Sequence, residues 1–392
     1  MQTAPVSPAR RGPFVAMAAI AGAVVANIYF SQPMLPLIAA DLGAPPESIG
    51  LIPGFTLAGF AAGLATLVPL GDSFDRKRIV LAQIALAAVF ALACALAPGL
   101  STLLGASFAL GVVSCVPQQM TPLAASLASP ETRGRAVGVV VSGIMMGLLL
   151  GRAVGGALSA IVGWRMVFAA AAVFMAVIGA VAYRVLPNAK PTTDLPYGRL
   201  LASLGTLALA HKTLRRAMAT QALLWVAFNA FWANLASLLA QDWGLGPAWA
   251  GAFGLVGVVG ALAASLGGRA ADRVGPAHVL TFSVVAVATA YLLLGLAPNS
   301  MTALVGGVIV LDLGCQSALV ANQTRVFGLD PKAQGRINTL YMVATFFGGA
   351  VGAAISGWLM ARWGWSGVVG LGLVAAVAAG LIHAEGISRA PR

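Results

Sequence analysis

The sequence predicts an all-α membrane protein of twelve transmembrane helices, arranged as two pseudo-symmetric six-helix bundles. The prediction depends on three observations: the composition, the recurrence of long apolar runs and an internal repeat of about 200 residues. Of the 392 residues, 59% are hydrophobic and only 9% are charged, whereas soluble domains carry roughly 25% charged residues. A water-soluble fold could not cover this much apolar surface with so few charges.

The apolar runs are long enough to cross a bilayer as helices. A hydrocarbon core about 30 Å thick needs roughly 20 helical residues, and lipid offers the backbone no hydrogen-bond partner, so spans are helices or closed barrels. The runs are continuous Leu, Ala, Val and Gly rather than alternating strands, which excludes a barrel. The predicted spans cover residues 13–40, 48–70, 79–97, 101–128, 134–160, 164–186, 217–241, 246–267, 277–297, 300–327, 337–361 and 365–385.

One long polar connection divides these spans into two sets of six. The predicted organisation is an N-terminal bundle over residues 1–186, a cytoplasmic linker over 187–216 and a C-terminal bundle over 217–392. The first apolar segment is too long for a signal-peptide core and lacks a small-residue cleavage site. We therefore expect it to be retained as span 1.

The basic residues predict the orientation of the chain in the membrane. All but three of the 23 Lys and Arg residues lie in the termini or in the even-numbered connections, the exceptions being Arg152, Arg165 and Arg362. Because such residues stay on the cytoplasmic side of short loops, both termini are predicted to be cytoplasmic. The same asymmetry accounts for the net charge of +12 without nucleic acid, so the expected partners are membrane lipids and a small-molecule substrate.

The two halves of the chain repeat each other. A shift of about 200 residues places Asp72 on Asp272 and Cys115 on Cys315. Two halves in the same orientation can rock about a central cavity and expose one site to each side in turn, which favours transport. The matched glycines are Gly50 with Gly251, Gly134 with Gly335, Gly147 with Gly348, Gly151 with Gly352, Gly156 with Gly357 and Gly163 with Gly364.

Two related segments come after spans 2 and 8. Residues 68–78 read Val-Pro-Leu-Gly-Asp-Ser-Phe-Asp-Arg-Lys-Arg, and residues 268–275 read Gly-Arg-Ala-Ala-Asp-Arg-Val-Gly. Both resemble the cytoplasmic signature of the major facilitator superfamily, G-x-x-x-D-R-x-G-R-[RK]. The first copy departs from it at Val68, Ser73 and Asp75. The resemblance implies a transporter of two six-helix bundles that works by alternating access.

The resemblance also implies a cytoplasmic gate. The Asp of each copy is expected to pair with the start of span 11 or span 5 in the other half, where a helix N-terminus and an Arg favour an anion. Such pairs would hold the cytoplasmic side closed. The alternative is that the basic residues only set the topology. The predicted gate residues are Asp72, Arg76, Arg135, Asp272, Arg273 and Arg336.

Span 5 carries a glycine-rich segment that resembles the signature G-x-x-x-G-P-x-x-G-G of drug–proton antiporters. Small residues let helices approach closely and weaken the helix, so that it can bend. Arg152 stands where that signature has Pro. A charge roughly 18 Å from the outer end is expected to face the cavity or a partner; the alternative is an arginine that reaches the lipid headgroups. The predicted helix-bending residues are Gly147, Gly151, Gly155 and Gly156.

Span 10 carries a carboxylate, Asp312, at a similar depth, with Gln316 one turn later. A buried carboxylate must find a partner or take up a proton. We hypothesise that Arg152 and Asp312 approach one another across the halves or share one substrate, and that protonation of Asp312 couples proton flow to conformational change. The alternatives are a structural ion pair and an acid held neutral by Gln316.

Polar and aromatic residues in spans 1, 4 and 7 are candidates for the cavity wall, because first helices of each half line the cavity in proteins that this chain resembles. Such amides can instead hold helices together. The rings of Trp225, Phe228 and Phe231 suit either a cavity wall or, more simply, lipid contact. The predicted cavity residues are Asn27, Gln32, Gln118, Gln119, Asn229 and Trp232.

Missing motifs narrow the function. No phosphate-binding G-x-x-x-x-G-K occurs, and the three histidines form no ligand cluster, so we expect no ATP-driven transport within this chain, no metal, no cofactor besides protons and no enzyme. The resemblance to the major facilitator superfamily implies a monomeric secondary transporter of the bacterial inner membrane, and its antiporter branch implies that the protein exports a drug-like compound, sugar or metabolite by proton coupling. The alternatives are an uptake symporter or facilitator, and a membrane receptor or assembly partner that does not transport.

Overall fold

The computed structural model describes residues 12–188, 196–257, 270–271, 273–330 and 333–388, without the side chains of Asp72, Ile387 and Ser388. In this part of the chain every regular element is a helix. The architecture is the predicted one, twelve transmembrane helices in two six-helix bundles.

The N-terminal half contains spans 1 to 6, two of which are interrupted. The helices are Gly12–Ala26 and Leu35–Leu42 in span 1, Leu51–Ser73 in span 2, Arg76–Ala95 in span 3, Leu100–Val113 and Val116–Leu127 in span 4, Arg133–Val162 in span 5 and Trp164–Val185 in span 6.

The C-terminal half comes after a short linker helix. The bounds are Tyr197–Ala210 in the linker helix, Lys212–Asp242 in span 7, Pro247–Val256 at the start of span 8, Pro276–Leu294 in span 9, Met301–Phe327 in span 10 and Gln334–Ser388 in spans 11 and 12. Spans 11 and 12 divide at Gly364, whose φ is 59°, and its repeat partner Gly163, with φ 79°, divides spans 5 and 6. Glycine occupies both corners because an L side chain is strained at positive φ.

Span 1 is one apolar run in the sequence but two helices in the structure. The first helix ends at Ala26, a turn comes next, and Gln32–Met34 form a short 3₁₀ helix before Leu35. The interruption precedes Pro33 and Pro36, and proline both lacks an N–H donor and disfavours helical backbone in the residue before it. The interruption brings irregular backbone to the middle of the bundle.

The predicted linker over residues 187–216 is only partly a connection. It contains the helix Tyr197–Ala210, and span 7 already begins at Lys212. Hydropathy marks where apolar sequence begins, whereas a helix can extend beyond the lipid through Lys and Arg, which are good helix formers. Residues 189–195 of this linker lie outside the described part.

Each half has its own hydrophobic core, one within residues 17–186 and one within residues 224–379. Trp225, Phe228 and Phe231 lie in the second core, with at most 5% of each side chain exposed. The rings of Trp225 and Phe228 stack with centroids 5.0 Å apart. The simpler expectation of lipid contact is therefore wrong for these three residues, because they face the interior of the protein.

Two glycine contacts close the predicted outer end between the halves. A Cβ atom added at Gly357 of span 11 would lie 2.8 Å from the Cα of Gly50, just before span 2. A Cβ atom added at Gly156 of span 5 would also lie 2.8 Å from the Cα of Gly251 in span 8. The repeat superimposes one contact on the other, so two symmetry-related backbone contacts seal this end.

Candidate functional site

Two charged side chains are buried at the middle of the molecule, one from each half. Arg152 of span 5 is 2% exposed and Asp312 of span 10 is 3% exposed. At 1.5 Å per residue, each lies roughly 15 Å from the predicted outer end of its helix. Among the described Lys, Arg, Asp and Glu residues the only other buried one is Arg76, toward the predicted cytoplasmic end.

Three side chains hold Arg152 in place. Its guanidinium carbon lies 4.5 Å from the ring centre of Tyr29 and 4.2 Å from that of Trp232. Its Nε donates a hydrogen bond of 2.7 Å to the Oε1 of Gln32. Tyr29 and Gln32 come from the interruption in span 1, so irregular backbone in one span orients the cation of another.

Asp312 lies near Arg152 without touching it. No Arg152 nitrogen lies within 4.0 Å of an Asp312 oxygen. Span 8 contacts both side chains: a Cβ atom added at Gly254 would lie 2.9 Å from the Cβ of Arg152, and one at Gly257 would lie 3.3 Å from the Oδ2 of Asp312. The two charges therefore share one glycine-lined surface of span 8.

Several polar atoms of this site have no hydrogen-bond partner within the described part of the chain. They include the donors Arg152 Nη2 and Gln32 Nε2 and the acceptor Asp312 Oδ1. The indole of Trp232 lies beside the Asp312 carboxylate. Buried polar groups are almost always paired, so unpaired donors and acceptors at one place mark a site for a ligand. A small cavity beside them is lined by Gln32, Pro33, Arg152, Trp232, Leu235, Ala236 and Ala250.

A larger cavity of about 200 Å³ lies toward the predicted cytoplasmic end, between spans 2, 4 and 11 and the linker helix. Leu200 and Leu204 of the linker helix form part of its wall. The predicted outer end is closed by backbone contact, so the space between the halves lies on the other side. The polar residues of its wall are Arg76, Gln118, Gln119, Arg336, Asn338 and Thr339.

Four of the six predicted cavity residues lie at the Arg152 site or in the wall of the larger cavity. Gln32 and Trp232 contact Arg152, whereas Gln118 and Gln119 line the larger cavity. Gln316 is buried one turn beyond Asp312.

Two predicted cavity residues face elsewhere. The Asn27 amide donates hydrogen bonds to the carbonyl of Val24 and to the sulfur of Met175, inside the N-terminal bundle. The Asn229 amide donates to the carbonyl of Trp225 within its own helix. Neither residue lines a described cavity, because the rotation of a helix decides which neighbour a side chain meets.

The predicted gate lies partly outside the described residues, since these exclude Asp272 and the side chain of Asp72. Arg76 donates through its Nε to the carbonyl of Gly71 at 3.0 Å and, with Arg336, lines the larger cavity. Arg135 and Arg273 are exposed. The gate therefore stays a prediction.

The span 5 glycines pack against other helices. Cβ atoms added at Gly147, Gly151 and Gly155 would meet the backbone of Gly22, Ala26 and Phe30 in and just after the first helix of span 1, while Gly156 faces span 8. Span 5 is a continuous helix through all four. Close packing is thus observed, and bending stays a prediction.

The predicted set lacks Tyr29, Gly254 and Gly257, which complete the site. An aromatic residue or a glycine in a span is too common to indicate a function. The only available signal was the position of Tyr29 three residues before Gln32 in a proline-containing segment.

Two six-helix bundles with a charged site buried between them define a multi-pass membrane transporter. The family model described as Major Facilitator Superfamily matches residues 17–260 and 217–384. This chain belongs to the major facilitator superfamily, and it is a transporter that works by alternating access.

Relatives and solved structures agree with this assignment. The chain is 36% identical over 381 residues to "Uncharacterized transporter YgaY" of Escherichia coli O157:H7, covering 96% of this chain and 95% of that protein. It is 34% identical over 358 residues to "Probable transporter SCO4007" of Streptomyces coelicolor, covering 91% and 83%. Its fold is similar to that of a bacterial homologue of the human lysosomal transporter Spinster, with a TM-score of 0.74, 16% identity and coverage of 98% and 96%. Multi-pass proteins of this family are typical of the bacterial inner membrane.

Proposed function

We propose that this transporter moves a small solute in exchange with, or together with, protons, and that Asp312 is the carboxylate that carries the proton. One observation supports this most: a buried carboxylate and a buried guanidinium come from different halves and lie against the same glycine surface of span 8 without a direct ion pair. In a medium of low polarity an unpaired carboxylate is unfavourable. The protonation state of Asp312 therefore changes the attraction between the two halves.

Alternating access gives that attraction a role in the cycle. Arg152 belongs to the N-terminal bundle, and Asp312 and the span 8 glycines belong to the C-terminal bundle. An ionised Asp312 favours the packed arrangement around Arg152, and a proton on Asp312 removes that attraction. Proton binding thereby lowers the free energy needed to separate the bundles.

The resemblance of the span 5 glycine segment to the antiporter signature favours export by proton antiport. Energy would come from the proton gradient and the membrane potential, about 2.3 kcal/mol per charge for each 100 mV. The second candidate is uptake by proton symport. It is favoured by the unpaired Nη2 of Arg152, because an anion bound there would be repelled by an ionised Asp312 but not by a protonated one.

Flux into proteoliposomes tests the proposal and separates the two candidates. The solutes are radiolabelled gluconate, glucose and glucosamine, which differ mainly in charge, and any compound that raises the melting temperature of the purified chain in a screen of metabolites and drugs. An acidic interior would drive accumulation by antiport, and an alkaline interior would drive it by symport. We expect one of these gradients to drive accumulation.

The decisive variant is Asp312→Asn. We expect it to abolish the effect of the pH gradient on accumulation while solute counterflow remains. The control is Asp242→Asn, because Asp242 is an exposed carboxylate at the end of span 7. Proton coupling that is unchanged in Asp312→Asn would remove Asp312 from the mechanism.

A further inference from the structure

We propose that the transported solute is a small organic anion, bound through a carboxylate group by the guanidinium of Arg152. This inference rests on the proposed function, because it takes the Arg152 site as the substrate site, and it adds the chemical class of the solute.

The surroundings of Arg152 leave part of its hydrogen-bonding capacity unused. Tyr29 and Trp232 contact the guanidinium through their rings, and Gln32 accepts the hydrogen bond from Nε. Nη2 has no hydrogen-bond partner among the described residues. Its neighbours thus fix the side chain in position while a donor remains for a ligand.

The site also lacks a direct counter-ion. Within the described part of the chain no carboxylate oxygen lies within 4.0 Å of an Arg152 nitrogen, and a guanidinium stays protonated in proteins. A buried charge without a close partner is unfavourable. A bound anion would supply that partner, so charge alone favours an anionic solute over a neutral or cationic one.

The polar lining of the small cavity consists mainly of donors. Arg152 Nη2 and Gln32 Nε2 are unpaired, and the Oε1 of Gln32 is already used by Arg152. The residues that line this cavity do not include Asp312. A carboxylate accepts several hydrogen bonds and matches the planar fork of an arginine, whereas the guanidinium would repel an ammonium group.

Small apolar walls limit the size of the solute beyond its carboxylate group. Pro33, Leu235, Ala236 and Ala250 form the remaining sides of the cavity. The cavity has a volume of about 10 Å³, room for about one water molecule, so an organic anion can bind there only when the two halves separate.

Asp312 gives anion binding a defined dependence on protons. The other titratable groups of this region are Arg152, Tyr29 beside it and Cys315 on the same helix as Asp312. An ionised Asp312 repels an anion at Arg152, and a protonated Asp312 does not. Proton and anion binding therefore reinforce each other, so an anionic solute favours the second candidate, proton symport, over antiport, which requires competition.

Binding to the purified full-length protein in detergent micelles tests the solute class. The ligands are small carboxylates, each paired with its neutral amide: gluconate with gluconamide, benzoate with benzamide, and succinate with succinamide. We expect at least one carboxylate to raise the melting temperature and to bind by calorimetry, its amide to bind at least about tenfold more weakly, and the carboxylate to bind more tightly as pH falls within the range where it stays ionised.

Variants at Arg152 assign the binding to this residue. We expect Arg152→Gln to weaken carboxylate binding about tenfold or more. Arg152→Lys keeps the charge but loses the planar fork, so it should bind the carboxylate more weakly than the unmodified protein. If Arg152→Gln does not fold, this weaker binding is the result that assigns the site to Arg152. The control is Arg362→Gln, because Arg362 is an exposed arginine whose guanidinium lies 5.0 Å from the Trp358 ring, outside the site.

Three outcomes would overturn the inference: no carboxylate of the panel binds, the amides bind as tightly as the acids, or carboxylate binding is unchanged in Arg152→Gln. Binding in micelles needs neither a gradient nor flux. Carboxylate binding without proton-coupled flux would therefore remove the proposed function and keep the inference. Proton-coupled flux of glucose without carboxylate binding would keep the proposed function and remove the inference.

Discussion

At the residue scale, the central site consists of departures from the internal repeat. The repeat places Ala353 at the position of Arg152 and Val112 at the position of Asp312. Duplication therefore explains the scaffold, in which the glycine contacts occur twice, but it does not explain the charges. Each half contributes one charge that its counterpart lacks, so the site has a basic side and an acidic side.

Replacing Arg152 with Met should raise the free energy of unfolding of the substrate-free protein. A buried charge without a close counter-ion is unfavourable, and replacing a whole buried ion pair by apolar residues of similar volume stabilises proteins by about 1–4 kcal/mol. Asp312, which this variant leaves behind, can become neutral by taking up a proton. We expect about 1 kcal/mol, because two cation–π contacts are lost as well. Thermal unfolding in detergent measures the change.

Arg165→Met is the matched control for this prediction. Arg165 forms an ion pair of 3.0 Å with Asp41, and its Nη1 donates to the carbonyls of Ala95 and Ala97. Removing a paired arginine should lower the melting temperature. A lower melting temperature for Arg152→Met would instead indicate that Arg152 serves the stability of the protein.

At the element scale, two features of the helices matter most: the interruption of span 1 and the glycine surfaces of spans 5 and 11. The interruption of span 1 supplies Tyr29 and Gln32 to the site, while span 7, its counterpart in the other half, is a continuous helix from Lys212 to Asp242. Glycine surfaces on spans 5 and 11 allow backbone contact at the predicted outer end. Irregular backbone thus forms the site, and small residues close one route to it.

Gly156→Ala should open the predicted outer end between spans 5 and 8. The added Cβ would lie 2.8 Å from the Cα of Gly251, so the two helices must separate. Spin labels on cysteines at the exposed positions Ile161 and Trp249 should report a longer distance by electron–electron resonance. Gly138→Ala is the control, because nothing lies within 4 Å of its added Cβ.

The same experiment can be repeated at the symmetry-related contact. Gly357→Ala would place a Cβ 2.8 Å from the Cα of Gly50, and we expect the ends of spans 2 and 11 to separate in the same way. Unchanged distances in both variants would show that these contacts do not control closure of the outer end.

At the scale of the whole molecule, the two halves have separate hydrophobic cores within residues 17–186 and 224–379. The contacts between them include the close approaches of spans 2 with 11 and 5 with 8, the central site and a smaller hydrophobic cluster that both halves share, in which the rings of Phe60 and Phe346 have centroids 4.5 Å apart. This division is the physical requirement for rocking, because each bundle can keep its own packing while the interface changes.

A chain cut after Asn188 should still form a working transporter when both pieces are co-expressed. Each piece carries its own core, and the cut falls in the connection between the halves. Co-purification of the pieces and solute counterflow in proteoliposomes measure the outcome. A cut within span 5, after Ala136, is the control and should abolish both, because it divides a core.

The sequence predicted the site in part, for physical reasons that differ between residues. Arg152, Asp312, Gln32 and Trp232 are polar or amphipathic residues in apolar runs, so their types alone indicated a buried site. Asn27 has the same signal, yet its amide faces Met175. The pattern shows that a polar group lies within the membrane but not which way it faces.

The sequence by itself determined the class, the twelve spans and the duplication, because lipid forces every backbone group into a helix and hydropathy records where each helix lies. Only the tertiary structure decided that Tyr29, Trp232 and Gln32 surround Arg152, that Asp312 stops short of an ion pair, and which end is closed. These features depend on the rotation and spacing of helices from distant parts of the chain, and packing between helices fixes both.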